Sequence, residues 1–168
     1  MNNYKTGDMV IYGTEGLCKV QDITEKKFGE NIIKYYVLRQ EVKKDFVTYV
    51  PINHEKSVSK MRPLLTKGEI LKIIDRASSE ELSWIENDRE RHNAFKDIML
   101  YGSSKDMLKL TRALYRRQQE QVAKGKKLHV SDEKVFKEAG KIINEEIAYV
   151  FDMEQDKVLD FIADRASK

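Results

Sequence analysis

The residues of this chain that are best suited to binding chemistry are basic side chains spaced for one face of a helix. Intervals of four, three and four residues separate the members of this stripe: Lys105, Lys109, Arg112 and Arg116. A loop with three more lysines follows around Gly125: Lys124, Lys126 and Lys127. Lysine and arginine neutralise phosphates and release counterions, so the pattern indicates nucleic-acid binding. A solvated helix face would have the same composition, and both interpretations stay open.

Trp84 is the only tryptophan of the chain, and most of its near neighbours are polar. The spacing of Ser78 and Glu81 is that of a capping box, and Gly102 suits the left-handed position that follows a helix. The sequence therefore predicts one helix from Ser78 to Gly102. A tryptophan needs a large apolar contact, which either the fold or a partner must supply.

The contact that Trp84 makes has two interpretations. On a continuous helix Trp84 falls within about 20° of Phe95, so it could begin a buried apolar stripe. Asp88 and Arg91 lie between them on the same face and are charged, which favours an exposed and functional tryptophan.

No constellation of residues indicates catalysis or a cofactor. The motifs G-x-S-x-G, P-loop and H-E-x-x-H do not occur. His54, His92 and His129 are far apart and lack metal-ligand spacing. Cys18 is the single cysteine, so it cannot form an intramolecular disulfide and is expected to be a small buried hydrophobe. We predict a protein that is not an enzyme and has no cofactor and no metal.

Charge is distributed unevenly along the 168 residues, whose net charge is only +3. The window from Lys105 to Lys141 contains 11 basic and 5 acidic residues, whereas residues 142–168 contain 3 basic and 7 acidic ones. This asymmetry predicts a basic face and an acidic terminal element. The N-terminus lacks the pattern of a secretion signal, and no apolar run approaches the roughly 20 residues that span a bilayer. We therefore expect a cytoplasmic protein with no membrane segment.

The order of the predicted elements indicates the α+β class, because strands come first and helices follow. The expected strands are Met9–Tyr12, residues 17–24, Ile32–Val42, Phe46–Val50 and Val58–Met61. The expected helices are Ile70–Arg76 after a Thr66/Glu69 capping box, Ser78–Gly102, one capped by Ser103 or Ser104 that ends near Gly125, Ser131–Val150 and Gln155–Ala166. The strands predict a small antiparallel β-barrel in residues 1–63, and the five helices an all-α domain in residues 64–168.

Longer motifs run through nearly the whole chain in a specific order. The first third contains YKTGDMVIYGTEGLCKV, YYVLRQ and FVTYVPIN, and the helical part contains LSWIENDRERHNAFKDIMLYGSSKDMLKLTRALYRRQQEQ and KGKKLHVSDEKVFKEAGKIINEEIAYV. In this order the motifs resemble the CarD family of bacterial transcription regulators.

The resemblance implies that the N-terminal domain is a Tudor-like barrel that binds the β subunit of RNA polymerase. Lys26 and Tyr49 match positions at which relatives have a basic residue that contacts polymerase. The expected polymerase-binding residues are Lys26, Thr48, Tyr49, Val50 and Pro51.

The resemblance also implies that the helical domain contacts promoter DNA at the upstream edge of the melted bubble, where the tryptophan wedges into the minor groove and stabilises the open complex. The expected DNA-binding residues are Trp84, Arg89, Arg91, Lys105, Lys109, Arg112, Lys126, Lys127 and Lys134. Many relatives have two arginines directly after the tryptophan, whereas Ile85 and Glu86 stand there in this chain. This departure changes the contacts expected beside Trp84.

Two functions from different classes follow. The first is a monomeric regulator that binds RNA polymerase and makes weak, largely non-sequence-specific contacts with promoter DNA. The second is an adaptor that binds only proteins, in which Trp84 is buried and the lysines are solvated. An enzyme is a third class, which the missing catalytic motifs disfavour.

Overall fold

The computed structural model describes residues 3–76 and 81–166. The chain divides into two compact units, Met1–Leu64 and Leu65–Lys168, which we call the sheet unit and the helical unit. The sheet unit contains an antiparallel sheet and the helical unit contains helices. The predicted α+β class, with the sheet first and the helices after it, is therefore confirmed.

Five antiparallel strands form the sheet unit: β1 Met9–Tyr12, β2 Gly16–Phe28, β3 Asn31–Gln40, β4 Val47–Pro51 and β5 Met61–Pro63. Their hydrogen-bonded order is β4-β3-β2-β1-β5, so β4 and β5 are the two ends of the described ladder. Pro51 is the last residue of β4 and lacks an N–H group, which an end strand tolerates. The register shifts between Val20 and Asp22, as at a β-bulge, and this interrupts the alternation of side chains along β2.

The last strand of the sheet unit does not lie where the sequence predicts it. Val58 ends a short helix, α1 Glu55–Val58, and the strand begins three residues later at Met61. The helix forms because the Ser57 N–H group bonds to the His54 carbonyl, and the side chains of the same two residues lie 2.6 Å apart.

One buried cluster of the sheet unit contains nine residues: Tyr4, Val10, Tyr12, Cys18, Val20, Tyr36, Leu38, Val50 and Met61. The Tyr4 hydroxyl donates to the Met61 carbonyl at 3.2 Å, and its ring packs edge-on against Tyr36. Cys18 is fully buried, as predicted. Because adjacent strand residues point to opposite faces, Tyr36 lies in the core while its neighbour Tyr35 is only half-buried.

Five α-helices lie in the described part of the helical unit: α2 Lys67–Asp75, α3 Asp88–Tyr101, α4 Ser104–Ala123, α5 Val130–Phe151 and α6 Val158–Ala166. Helices α4 and α5 contribute most of the buried core: Met107, Leu110, Leu114, Ala139, Ile142, Ile143 and Ile147. None of the helices in residues 3–76 and 81–166 is both long and apolar enough to span a membrane.

Helix caps fix the starts of α2 and α4. Thr66 and Glu69 form the predicted capping box of α2. The pKa of Glu69 is lowered, mainly by the hydrogen bond that its carboxylate accepts from the Thr66 backbone N–H group and next by the one from the Thr66 hydroxyl. Of the two candidate caps for α4, Ser103 is the one used. Ser104 instead points inward and donates to the buried Glu146 carboxylate at 2.6 Å.

The helix predicted from Ser78 to Gly102 begins only at Asp88. Ser78 lies outside the described residues, and residues 81–87 have no regular structure. Asn87 is the N-cap of α3, because its side-chain oxygen accepts the N–H group of Glu90 at 3.0 Å. Trp84 therefore precedes the helix and does not share a helical face with Phe95.

Gly102 ends α3 for a different reason from the one predicted. Its backbone is extended, with φ −66° and ψ 153°, so it is not in the left-handed region. Its N–H group donates to the Ile98 carbonyl at 2.8 Å. A Cβ atom at this position would lie 2.5 Å from that carbonyl oxygen, so the close approach requires glycine.

Candidate nucleic-acid and protein-binding sites

Trp84 lies half-buried in residues 81–87, which precede α3 and have no regular structure. Its ring meets Phe95 edge-on, with the ring centroids 6.0 Å apart. The guanidinium carbons of Arg91 and Arg117 lie 4.8 and 5.0 Å from the Trp84 ring centroid. Such distances are those of cation–π contacts. The indole is therefore partly packed and partly accessible, so neither of the two interpretations holds in full.

Arg91 is directed into the protein, where all of its N–H groups have acceptors. Nε and Nη2 donate to the Asp132 carboxylate at 3.0–3.2 Å, and Nη2 also donates to Asp88 at 2.7 Å. Nη1 donates to the carbonyls of Ile85 and Glu86 at 2.9 and 3.3 Å. Arg91 is only 4% exposed and has no donor left for a phosphate, so we remove it from the expected DNA contacts.

The charge on Arg91 is stabilised by its acidic partners. Burial disfavours the charged guanidinium, but the hydrogen bonds to Asp132 and Asp88 outweigh it, and the pKa of Arg91 is raised. The same contact with Arg91 lowers the pKa of Asp88. Asp132 is itself buried, so this pair is a fixed ionic link between α3 and α5.

A cleft of about 650 Å³ lies beside Trp84, and we call it the Trp84 cleft. Residues 81–84 line one part of it, and α4 contributes four cationic side chains: Lys109, Arg112, Arg116 and Arg117. The exposed ring of Tyr115 also lines it. The structure thus brings Trp84 and three residues of the predicted basic stripe, Lys109, Arg112 and Arg116, to one concave surface, which has the cations and aromatic rings that nucleic acids contact.

Acidic side chains already occupy part of this basic surface. Glu81 forms a two-point ion pair with Arg116, and this hydrogen bond lowers the pKa of Glu81 and raises that of Arg116. Arg117 lies 3.3 Å from Glu120 and 4.0 Å from Glu86. A phosphate that enters the cleft has to compete with these carboxylates.

The other predicted DNA contacts do not line the Trp84 cleft. Arg89 is exposed in the first turn of α3, and Lys105 is exposed near the start of α4. Lys126 and Lys127 are exposed in the loop between α4 and α5. Lys134 lies on α5, with its ammonium 3.9 Å from a carboxylate oxygen of Glu138.

Two cleft residues, Arg117 and Glu81, were not predicted as functional. At about 100° per residue, Arg117 lies about 80° around α4 from Lys109 and farther from Arg112 and Arg116, so it is beside the predicted stripe and the spacing gave no signal for it. Glu81 was assigned to a helix cap instead. Its contact with Arg116 joins residues 35 positions apart, which no local pattern reveals.

In the sheet unit, three side chains from adjacent strands form a cation–aromatic cluster. The Lys26 ammonium lies 3.7 Å from the Tyr49 ring centroid and 5.8 Å from that of Tyr35. The two tyrosine rings meet edge-on at 6.2 Å. Lys26 is exposed and Tyr49 is 46% exposed, so the cluster can meet a partner. Two of the expected polymerase-binding residues are therefore neighbours.

The other three expected polymerase-binding residues have different environments. The Thr48 hydroxyl donates to the Glu15 carboxylate at 2.7 Å, and Pro51 is half-buried at the end of β4. Val50 is 0% exposed and belongs to the core. Its side chain cannot reach a partner, and we remove it from the expected contact surface.

His129 makes local contacts at the start of α5. His129 is the N-cap of α5 and accepts the Ser131 N–H group at 3.3 Å. In residues 3–76 and 81–166, no three His, Cys, Asp or Glu side chains form a group that could hold a metal ion.

Family models match both units of the chain. Residues 4–64 match the CarD-like/TRCF RID domain, and residues 69–163 match the CarD C-terminal domain. These matches define a transcription regulator that interacts with RNA polymerase, from a non-enzymatic class of transcription factors. The chain belongs to the CarD family, as its motifs predict. No curated protein matches it significantly.

Proposed function

We propose that the sheet unit binds the β subunit of RNA polymerase and that the helical unit stabilises the open promoter complex by contacting DNA at the upstream edge of the bubble. Trp84 acts as a minor-groove wedge in this proposal. The observation that carries it is the position of the half-exposed Trp84 beside a cleft with four cations from α4. The working state is a monomer.

The chemistry of the Trp84 cleft suits a distorted duplex. An apolar ring inserted at a base step stabilises unstacked DNA, at a cost of a few kcal/mol that bound phosphates must offset. Lys109, Arg112 and Arg116 supply cations within the same cleft. These phosphate contacts position the protein without reading sequence, so we propose weak and largely non-sequence-specific binding. Arg89, Lys105, Lys126, Lys127 and Lys134 remain proposed outer contacts.

For polymerase binding, the cluster of Lys26, Tyr35 and Tyr49 is the surface we propose, with Thr48 and Pro51 beside Tyr49 on β4. Exposed tyrosines are frequent energetic centres of protein interfaces, because they bury a large ring and keep a polar hydroxyl. The cation over the Tyr49 ring holds these side chains in place before a partner arrives.

A protein-only adaptor is the second candidate. The pairing of Glu81 with Arg116 and of Glu120 with Arg117 favours it, because both pairs reduce the positive charge of the cleft.

Open-complex lifetimes with purified polymerase separate the two candidates. We expect the wild-type chain to prolong the lifetime and Trp84→Ala to lose most of that effect, with polymerase binding retained. Tyr149→Ala, which removes another exposed aromatic ring of the helical unit, is the matched control. If the lifetime is the same with wild-type protein and with Trp84→Ala, the wedge is excluded and the adaptor is favoured.

A further inference from the structure

Arg91 joins three parts of the helical unit. Its own position is on α3, its carboxylate partner Asp132 is on α5, and its remaining donors bind the carbonyls of Ile85 and Glu86, directly after Trp84. Its guanidinium carbon also lies 4.8 Å from the centroid of the Trp84 ring. The same side chain therefore holds both the backbone after Trp84 and the indole itself.

We propose that Arg91, anchored by Asp132, is the positioning residue that holds Trp84 at the edge of the Trp84 cleft. This inference rests on the proposed wedge function, which it deepens. Arg91 does not contact DNA itself, because its donors are all bonded within the protein.

The geometry requires an arginine at position 91. A guanidinium has five donors in a planar fork, whereas a lysine ammonium has three at a single point. Only the fork can bind the Asp132 carboxylate through Nε and Nη2 while Nη1 reaches two carbonyls and the plane stays near a ring. Residues 81–86 belong to no helix or strand, and the hydrogen bonds from Arg91 to the carbonyls of Ile85 and Glu86 fix the backbone there.

Arg117 also approaches the Trp84 ring, at 5.0 Å, but its contacts differ. Its guanidinium faces the carboxylates of Glu120 and Glu86. The described hydrogen bonds to the carbonyls of Ile85 and Glu86 come from Arg91. We therefore assign the positioning to Arg91 and the cleft charge to Arg117.

The test uses Trp84 itself as the probe, because it is the only tryptophan of the chain. Arg91→Lys in the full-length protein keeps the charge opposite Asp132 and loses the fork. We expect acrylamide quenching of Trp84 emission to rise, because a ring that is no longer held is accessible to the quencher for more of the time. The lower end of the coupling between residues in contact corresponds to about a twofold change in that accessible population. The open-complex lifetime should shorten in the same variant, while binding of polymerase is retained.

Two further variants keep the test decisive. The double variant Arg91→Gln with Asp132→Asn replaces the pair by neutral groups, so that neither partner is left as an unpaired buried charge if Arg91→Lys fails to fold. The matched control is Arg165→Lys, which breaks a two-point pair with Asp75 elsewhere in the helical unit. We expect the double variant to resemble Arg91→Lys and the control to resemble the wild type.

Two outcomes would overturn the positioning role. One is unchanged quenching in both folded Arg91 variants. The other is increased quenching with an unchanged open-complex lifetime, in a system where Trp84→Ala does shorten that lifetime. If Trp84→Ala has no effect on the lifetime, the proposed wedge fails instead, and the quenching result still reports whether Arg91 holds the ring.

Discussion

The Glu81 carboxylate forms a two-point ion pair with the Arg116 guanidinium at the edge of the Trp84 cleft. The hydrogen bond from Arg116 lowers the pKa of Glu81, so this carboxylate is charged at neutral pH and competes with any phosphate for Arg116. The pair therefore limits the electrostatic attraction of the cleft for DNA.

Glu81→Gln should increase the affinity for duplex DNA, because it frees Arg116 and removes a negative charge. Exposed ion pairs are weak, so we expect an increase of about two- to fivefold at low salt. Fluorescence anisotropy with a labelled duplex measures it. The control is Glu25→Gln, which changes the net charge equally but lies in the sheet unit, where Glu25 pairs with Lys34. Equal affinities of the two variants would mean that only net charge matters.

Lys26→Glu should weaken binding of the polymerase β subunit by about tenfold, the effect of losing roughly 1.4 kcal/mol at an interface. The change removes the cation from the Tyr49 ring and reverses the charge of the cluster. Lys27→Glu is the matched control, because Lys27 is next to Lys26 in sequence and its side chain therefore points to the other face of β2. Surface plasmon resonance on the full chain compares the two. Equal losses would show that the effect is general charge and not this cluster.

The element types and several caps were predictable because they depend on local patterns. The capping boxes at Thr66 and Ser103 need only residues three positions apart, and both form. The alternation of strand side chains that separates buried Tyr36 from half-buried Tyr35 is equally local.

The position of Trp84 was not predictable, because it depends on contacts between distant residues. Arg91 has the charge of a surface residue, and only the fold brings Asp132, 41 positions away, to its guanidinium. The family resemblance made Arg91 an expected DNA contact, and its spacing from Trp84 made it a break in an apolar stripe. The buried pair of Arg91 with Asp132 excludes Arg91 as a DNA contact. It also means that the charge of Arg91 does not require an exposed position, since a fully paired arginine is compatible with the interior.

Replacing Lys126 and Lys127 by Ala should flatten the salt dependence of DNA binding if both contact phosphates. Each phosphate neutralised on duplex DNA contributes a slope of about −0.9 in the plot of log affinity against log salt, so the double variant should lose about one to two units. Lys43→Ala with Lys44→Ala, an exposed lysine pair of the sheet unit, is the control. If the slope stays at the wild-type value, Lys126 and Lys127 do not contact phosphates and are only solvated surface residues.

Asp75→Asn should make the protein less sensitive to acid. Asp75 pairs with Arg165 and so connects α2 with α6, and the hydrogen bond from Arg165 lowers the pKa of Asp75. A carboxyl group whose pKa is lower in the folded state stabilises the fold at pH values above its unfolded-state pKa of about 3.9. This stabilisation is lost as the pH falls through the folded-state pKa. The variant should lose stability near neutral pH and show a smaller further loss below about pH 4.

Urea melts of the full chain at several pH values, followed by far-UV circular dichroism, measure this dependence. Asp160→Asn changes an exposed carboxyl group of α6 and leaves the Arg165 pair intact, which makes it the control. If Asp75→Asn keeps the wild-type acid profile, the pair does not contribute to it.

Trp84→Ala tests the half-buried position of the indole. The ring packs edge-on against Phe95 and contacts two guanidiniums, so its loss should cost more than the roughly 0.5 kcal/mol of a surface substitution. The cost should stay below the roughly 3–5 kcal/mol of a fully buried aromatic residue. Denaturant melts measure this cost, and open-complex lifetimes on the same variant measure function. Compared with Trp84→Ala, Trp84→Phe should restore most of the free energy of unfolding, because it keeps an aromatic contact with Phe95. It should restore less of the open-complex lifetime, because the phenyl ring is a smaller wedge. A cost of about 3–5 kcal/mol with an unchanged lifetime would instead make Trp84 a core residue without a role at the bubble.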